Sequence, residues 1–387
     1  DMKRIYIYVI TAFALLAGAC SDNNLNDDAP VVPATPDIVI PEGAAEGELL
    51  IKFVPEMTEI LDRTMKTRAA GASTRSGIPS TDEVLSILGA YDFERVFPVD
   101  SRTEEKSREA GLHLWYLVRF DKNTDLKEAM ERLSGLGEIS KLQINPAIQR
   151  AYNPKKKPVP VSEAALNRMR TRAAADNGFK FNDALLPHQW GYINRGAYDF
   201  ATEKAPAIVG SDVNCEEAWE LCTGDPEIIV AVLDEGVMYT HEDLTDNMWV
   251  NEKEQVGSDQ DNDGNGYKGD RYGYNFVKDN GNISWQAAED TGHGTHVAGT
   301  IAAVNGNNIG VCGIAGGNGT KGGVRIMSCQ VFDGDGQVRM VNEARAIKYA
   351  ADNGAVILQC SWGYNSAYSN PMLGYVPGPA TDEEWAK

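Results

Sequence analysis

Beyond its first twenty residues the chain has no stretch as long and apolar as a bilayer-spanning helix, which takes about 20 residues. That argues against a bundle of membrane helices. Basic residues are in the minority, 36 Lys and Arg against 56 Asp and Glu. The resulting net charge of −20 argues against nucleic acid, whose binding faces are basic. Cysteine is scarce too, and five remain after Cys20, an odd number that cannot close a complete disulfide framework. Cys215 and Cys222 fall on what reads as one helix, where a rise of 1.5 Å per residue separates them by roughly 10 Å, beyond disulfide reach. Cys312, Cys329 and Cys360 lie in apolar, strand-like contexts and read as small buried hydrophobes. No long low-complexity tract occurs, and 387 residues suit two globular domains better than one.

The N-terminus is organised as a targeting segment. Lys3 and Arg4 precede an apolar run over 5–17, and Ala17-Gly18-Ala19 ends it just before Cys20. Too short to span comfortably, the run reads as a cleavable signal. A Cys at that point resembles a bacterial lipobox, in which the thiol is acylated, although Leu16 lies one position early; plain secretion is the alternative. Residues 1–20 are thus read as a signal peptide with lipobox Cys20, and 21–46 as a tether. Secretion, with a lipid anchor on a bacterial envelope or surface, is the expected location, and any membrane contact runs through that anchor alone.

Residues 47–152 read as a small α/β domain. Gly47 to Phe53 is a short strand, and Ser80-Thr81-Asp82-Glu83 has the form of a capping box opening a helix to about Leu88. Residues 113–120 are β-rich, 125–136 have helical period with Leu126, Ala129, Met130 and Leu133 on one face, and 139–152 return extended. That order predicts a split βαβ unit. Residues 153–180, with Pro154, Pro158, Pro160 and basic residues from Lys155 to Arg172, read as an exposed, cleavable linker. From 181 to 387 strands alternate with helices. The continuous apolar strand 228–233 is followed by a helix over 293–304, a strand over 324–332, a helix over 341–353 and a strand over 355–360. This predicts a parallel sheet covered on both faces.

Asp234 ends the first of those strands, where functional groups gather in open α/β sheets. In the block Asp290-Thr291-Gly292-His293-Gly294-Thr295-His296-Val297-Ala298-Gly299-Thr300, whose small residues allow close packing, His293 sits at the helix start. A helix N-terminus favours the neutral imidazole that a general base needs. Zinc-protease spacing is absent, because His293 and His296 are three apart rather than four with Glu between. His296 is expected to pack inside, and His241 to be structural.

Leu233-Asp234-Glu235-Gly236 and the His293-to-Gly299 block resemble the Asp and His blocks of the subtilase family of serine peptidases, in the family's order. The resemblance covers about 182–363, and Gly47 to Tyr152 resembles a subtilase propeptide. It implies a subtilisin-like α/β fold, acyl transfer to protein or peptide substrates, and catalytic roles for Asp234 and His293. It also implies that the propeptide acts as an intramolecular inhibitor and chaperone. Glu235 departs from the family, which usually has Thr or Ser there. Ser361-Trp362-Gly363 resembles the segment that pairs with substrate as an added strand, and Gly334 and Gly336 resemble the facing edge; an ordinary strand end and turn is the alternative.

Calcium is the expected cofactor. Asp261, Asp263, Asn265 and Tyr267 present donors at alternate positions around Gly264 and Gly266, like the first half of an EF-hand loop. Position twelve is Tyr272, not Glu, so Asp270 is the candidate to close the site; a solvated turn is the alternative. The resemblance implies a second site with Asp183, Asp243, Asn307 and the carbonyls of Val304, Ile309 and Val311, in a loop where Gly306 is an insertion. No Gly-Thr-Ser-Met-Ala-like block follows His293. The helix start at Thr381-Asp382-Glu383-Glu384 just before Lys387 reads as a cut chain, so these residues alone are expected to be inactive. The rival reading is a non-catalytic surface lipoprotein of the same fold that binds peptides or calcium.

Overall fold

The computed structural model describes residues 40, 44–67, 74–152, 162–165, 167–168, 178–196, 206–286, 290–334 and 338–364. The signal segment with Cys20, most of 153–180, Gly336 and 381–384 lie outside them.

The N-terminal part is a four-stranded antiparallel sheet. Its strands are β1 (Ala44–Phe53), β2 (Asp92–Arg95), β3 (Trp115–Arg119) and β4 (Ile139–Pro146), in the order β2-β3-β1-β4. Helices α1 (Thr58–Thr67), α2 (Pro79–Ile87) and α4 (Leu126–Ser134) cover one face, and a short α3 (Glu104–Glu109) precedes β3. Alternation along β1 explains the layering. Leu49, Ile51 and Phe53 point into a core with Leu61, Leu85, Ala129 and Leu133, each large side chain contributing about 1.5–3 kcal/mol by leaving water. The connectivity is a split βαβ unit, as the order of periodicities suggested.

The capping box is not formed. The helix starts at Pro79, so Ser80 already lies inside its first turn and its Oγ donates to Glu138, while Asp82 accepts from the Ser76 backbone N–H at 2.6 Å and from Ser76 Oγ at 2.8 Å. Further on, Asp125 does cap α4, accepting from Glu128 N at 2.9 Å.

The second part is a parallel sheet in the order β7-β8-β6-β9, with β6 (Ile229–Glu235), β7 (Gly273–Asn275), β8 (Arg325–Phe332) and β9 (Ala355–Cys360). Both faces are covered. Val230, Val232 and Ile326 meet Ala298 and Ala302 of α6 (His293–Ala302). Ala231, Leu233, Met327 and Cys329 meet Ala346 and Tyr349 of α7 (Met340–Asp352) on the other side. A further helix, α5 (Cys215–Leu221), packs Cys215 and Trp219 with Leu186 and Cys312. The fold is therefore α/β with a helix-flanked parallel sheet, preceded by the smaller α/β unit.

The open face of the N-terminal sheet lies on α7. Leu50, Val96, Phe97 and Leu117 form one cluster with Val341, and Arg345 pairs with Glu94 at 3.1 Å while donating to Val96 O at 2.7 Å. Beyond β4 the chain runs as β5 (Ile148–Arg150), which pairs antiparallel with β10 (Trp362–Tyr364).

Five cysteines are described and all are free; Cys215, Cys312 and Cys329 are buried. Cys360 was expected inside with Cys312 and Cys329 but is exposed. His296 is exposed as well, against expectation: Gly294, Ala298 and Ala302 are the buried residues of α6, and His296 falls between the first two on the opposite side.

Candidate active site and metal centres

Asp234 and His293 are brought together by close backbone packing. Gly292, at φ 78, takes a left-handed turn that suits glycine, and α6 starts directly after it. A Cβ on Gly294 would lie 2.1 Å from Glu235 O, so only glycine lets the helix start press against the end of β6. The His293 Nδ1 then lies 2.9 and 3.0 Å from the two Asp234 oxygens. Asp234 is fully buried and also accepts from Glu235 N at 2.7 Å. With the proton held at Nδ1 by the carboxylate, Nε2 is left as the basic nitrogen.

Glu235 is fully buried next to this pair. Its carboxylate accepts from Thr291 N at 2.8 Å and His293 N at 3.2 Å, which ties the helix start to the strand end. Charge at a helix N-terminus is favourable there.

The cleft beside the pair is filled by the chain itself. Gln149 pairs with Gly363 and Arg150 with Trp362, while Ala151 N donates to Ser361 O at 2.9 Å. On the other edge Ile148 N donates to Val338 O at 3.1 Å, and Ala147 bridges to Arg339. Trp362 Nε1 donates to Leu233 O at 3.1 Å, holding β10 against the end of β6. Gly334 O accepts from Arg150 Nη2 at 3.0 Å. Tyr152 follows: its ring stacks on His293 at 3.6 Å between centroids and 8° between planes, and its hydroxyl donates to Asp234 at 3.3 Å. Burial, then the Asp234 and Glu235 charges, push the Tyr152 phenol far above its usual range. Nothing in the local sequence marked Tyr152 or Arg150, since their partners lie from some eighty to about two hundred residues away.

Among the loop residues read as calcium donors, Asp263 and Asp270 meet a residue the sequence did not single out. Ligand oxygens of Glu254, Asp263 and Asp270 all lie within 4.8 Å of one another. Glu254 and Asp270 are fully buried, and burial pushes Asp270 up to about 6. Asp261 is occupied elsewhere, accepting from Gly264 N at 2.7 Å and Gly266 N at 2.9 Å. Asn265 donates to Asp270 at 2.9 Å, and Tyr267 lies in an aromatic cluster with Tyr274, Phe276 and Tyr349. A cation does approach the cluster: Arg102 Nη1 is 3.6 Å from Asp263.

Asp183, Asp243 and Asn307 also converge. Asp243 accepts from Asn307 Nδ2 at 2.8 Å and Val311 N at 2.9 Å. Val304 N donates to Asp243 O, and Ile309 N to Asn307 Oδ1. Asp183 accepts from Gly306 N at 2.7 Å through one oxygen; the other, Oδ1, is buried with no hydrogen-bond partner among the described residues. Burial raises both carboxyls, Asp243 to about 6. An orphaned carboxylate oxygen close to a second buried carboxylate fits a hard cation.

Residues 225–383 match the subtilase family. Subtilisin-like protease 1 of Plasmodium vivax is 32% identical over 214 residues, 54% of this chain and 30% of that protein. Kexin of Saccharomyces cerevisiae is 29% identical over 238 residues, 61% of this chain and 24% of kexin. The halolysin-like extracellular serine protease Nep of Natrialba magadii is 33% identical over 151 residues, 39% of this chain and 23% of Nep. The chain thus spans less than a third of the length of these relatives. Among solved structures, the Aeromonas sobria serine protease in complex with its chaperone aligns with a TM-score of 0.32 and 24% identity, over 52% of this chain and 28% of that one.

Proposed function

From residues 225–383, which belong to the subtilase family, we propose that this chain is the N-terminal part of a secreted subtilisin-like serine endopeptidase precursor whose own residues 148–152 block its substrate cleft. The observation that carries this is the tail: it forms a strand with Trp362–Tyr364 and ends with Tyr152 lying on the His293–Asp234 pair.

In the working enzyme Asp234 orients the imidazole through Nδ1–H. As a serine oxygen bonds to the substrate carbonyl carbon, Nε2 takes the hydroxyl proton and returns it to the departing amine. The 47–152 unit acts as intramolecular inhibitor and chaperone, docking on α7 and delivering its end to the cleft. Cys20 anchors the precursor by lipid. Calcium would be held by Glu254, Asp263 and Asp270 and by Asp183, Asp243, Asn307 and the Val304, Ile309 and Val311 carbonyls, and there it would join loops distant in sequence. The presence of two buried carboxylate groupings supports that reading. The extracellular nature of a relative, Nep, supports secretion.

The 387 residues contain no Gly-Thr-Ser-Met-Ala-like block. A polypeptide of these residues alone is expected to show no serine-specific fluorophosphonate labelling and no hydrolysis of an unfolded protein. In the full-length protein both should appear. Maturation should place the new N-terminus between Tyr152 and Asn182, read by mass spectrometry; a terminus inside 47–148 would contradict the assignment of the tail.

A further inference from the structure

Arg150 sits in a pocket that looks built for its side chain. The guanidinium Nε is 3.1 Å from Glu235 Oε1, Nη2 donates to Gly334 O at 3.0 Å, and the group lies over the Phe332 ring at 4.9 Å. The Arg150 side chain is 12% exposed and that of Glu235 is fully buried. Every wall comes from the ends of β6 and β8 or just past them, the same platform that presents Asp234. The Thr291 and His293 backbone N–H groups fix the Glu235 carboxylate before any guanidinium arrives, so its orientation does not depend on the tail.

We propose that Glu235 is a specificity-determining residue, selecting substrates with arginine at the strand position Arg150 occupies. The inference rests on the preceding reading that residues 148–152 lie where a substrate strand lies. A buried carboxylate left without its cation is strongly disfavoured, so a neutral side chain at this position is rejected rather than merely unrewarded. Arginine suits the pocket better than lysine. A planar guanidinium can pair with a carboxylate while donating to a carbonyl and stacking on a ring, whereas an ammonium is a compact, strongly hydrated charge. The precursor's own tail, carrying Arg150, is then a high-affinity occupant, which is what a blocking segment requires.

The test compares two peptides with the sequence of residues 148–152, one native and one with glutamine in place of the arginine. In the full-length protein, kcat/KM should favour the arginine peptide at least tenfold. Glu235→Gln, which keeps an acceptor for the Thr291 and His293 N–H groups, should bring the two within about threefold. Equal rates for the two peptides in the wild type overturn the inference and leave the protease reading standing. Absence of all cleavage, of these peptides and of an unfolded protein, overturns the protease reading instead. A binding arm needs no nucleophile and decides the inference in that case. The peptides are titrated calorimetrically into the 387-residue chain carrying Arg150→Gln, whose own tail is weakened. An advantage of tenfold or more for the arginine peptide supports the pocket, and equal affinity refutes it even if Glu235→Gln fails to fold.

Discussion

Glu343 shows how one buried residue sets a pH dependence. It lies on α7, 2% exposed, and neither carboxylate oxygen has a hydrogen-bond partner among the described residues. Burial pushes its carboxyl from an ordinary 4.5 up to about 9, so the folded chain holds it protonated at neutral pH. The folded value exceeds the unfolded one, so its contribution to stability is complete below about 4.5 and drains away as pH rises towards 9. Glu343→Gln keeps the shape and removes the ionisation. Thermal melts should give equal midpoints for variant and wild type near pH 4, with the variant pulling ahead as pH rises to 8, roughly 2–4 °C for each kcal/mol. A gap that does not change with pH would show that Glu343 is ionised in the fold.

Among the elements, the metal loop makes the sharpest prediction. Glu254, Asp263 and Asp270 come from separate turns and meet only because the intervening chain folds back. Their mutual repulsion is relieved by a cation, and a ligand that binds only the fold stabilises it by about 2.7 kcal/mol at 100 times its dissociation constant. Chelator should therefore lower the melting temperature of the full-length protein in a Ser-inactivated background. Asp263→Asn with Asp270→Asn should remove part of that shift, leaving the part due to Asp183 and Asp243. Asp261→Ala should lower stability with and without calcium alike, because Asp261 serves backbone N–H groups of the turn. Retention of the whole calcium-dependent shift in the double variant would show the loop to be a solvated turn.

The same loop marks what was legible in the sequence. Asp263 and Asp270 sit in a donor-and-glycine pattern that local spacing reveals, but Glu254 lies upstream of it with no periodic relation, so only tertiary folding identifies it. Asp234 and His293 were legible because each ends or begins an element whose period is strong. The 10-residue α1 was overlooked although Met57, Ile60, Leu61 and Met65 fall on one face at helical spacing and pack on the core. The capping box failed for a competing reason: α2 already starts at Pro79, which puts Ser80 inside the helix with its hydroxyl on Glu138.

At the scale of the whole molecule, two contacts hold the tail in the cleft, and they can be separated. One is the apolar dock of Leu50, Val96, Phe97 and Leu117 on Val341, and the other is the tail's own strand pairing and its Arg150 and Tyr152 contacts. The dock fixes the sheet whose last strand, β4, runs straight into β5, so it raises the effective concentration of the tail at the cleft. Weakening the dock should therefore loosen the tail without touching it. Val341→Asp buries an unpaired charge in that cluster, a change costing about 3 kcal/mol or more. Hydrogen exchange of the 148–151 amides should then speed up about a hundredfold, on the scale of 1.4 kcal/mol per factor of ten. The β1 and β3 amides, whose strands present Leu50 and Leu117 to the dock but are also held by the core around Leu49 and Phe53 on the other face, should keep their protection. Tyr152→Ala should do the reverse, freeing His293 while leaving the dock and the β5 amides protected. If Val341→Asp left the 148–151 amides as slow as in the wild type, the tail would be held by its strand pairing alone. Inhibition would then depend on a few residues around Arg150 rather than on the 47–152 unit.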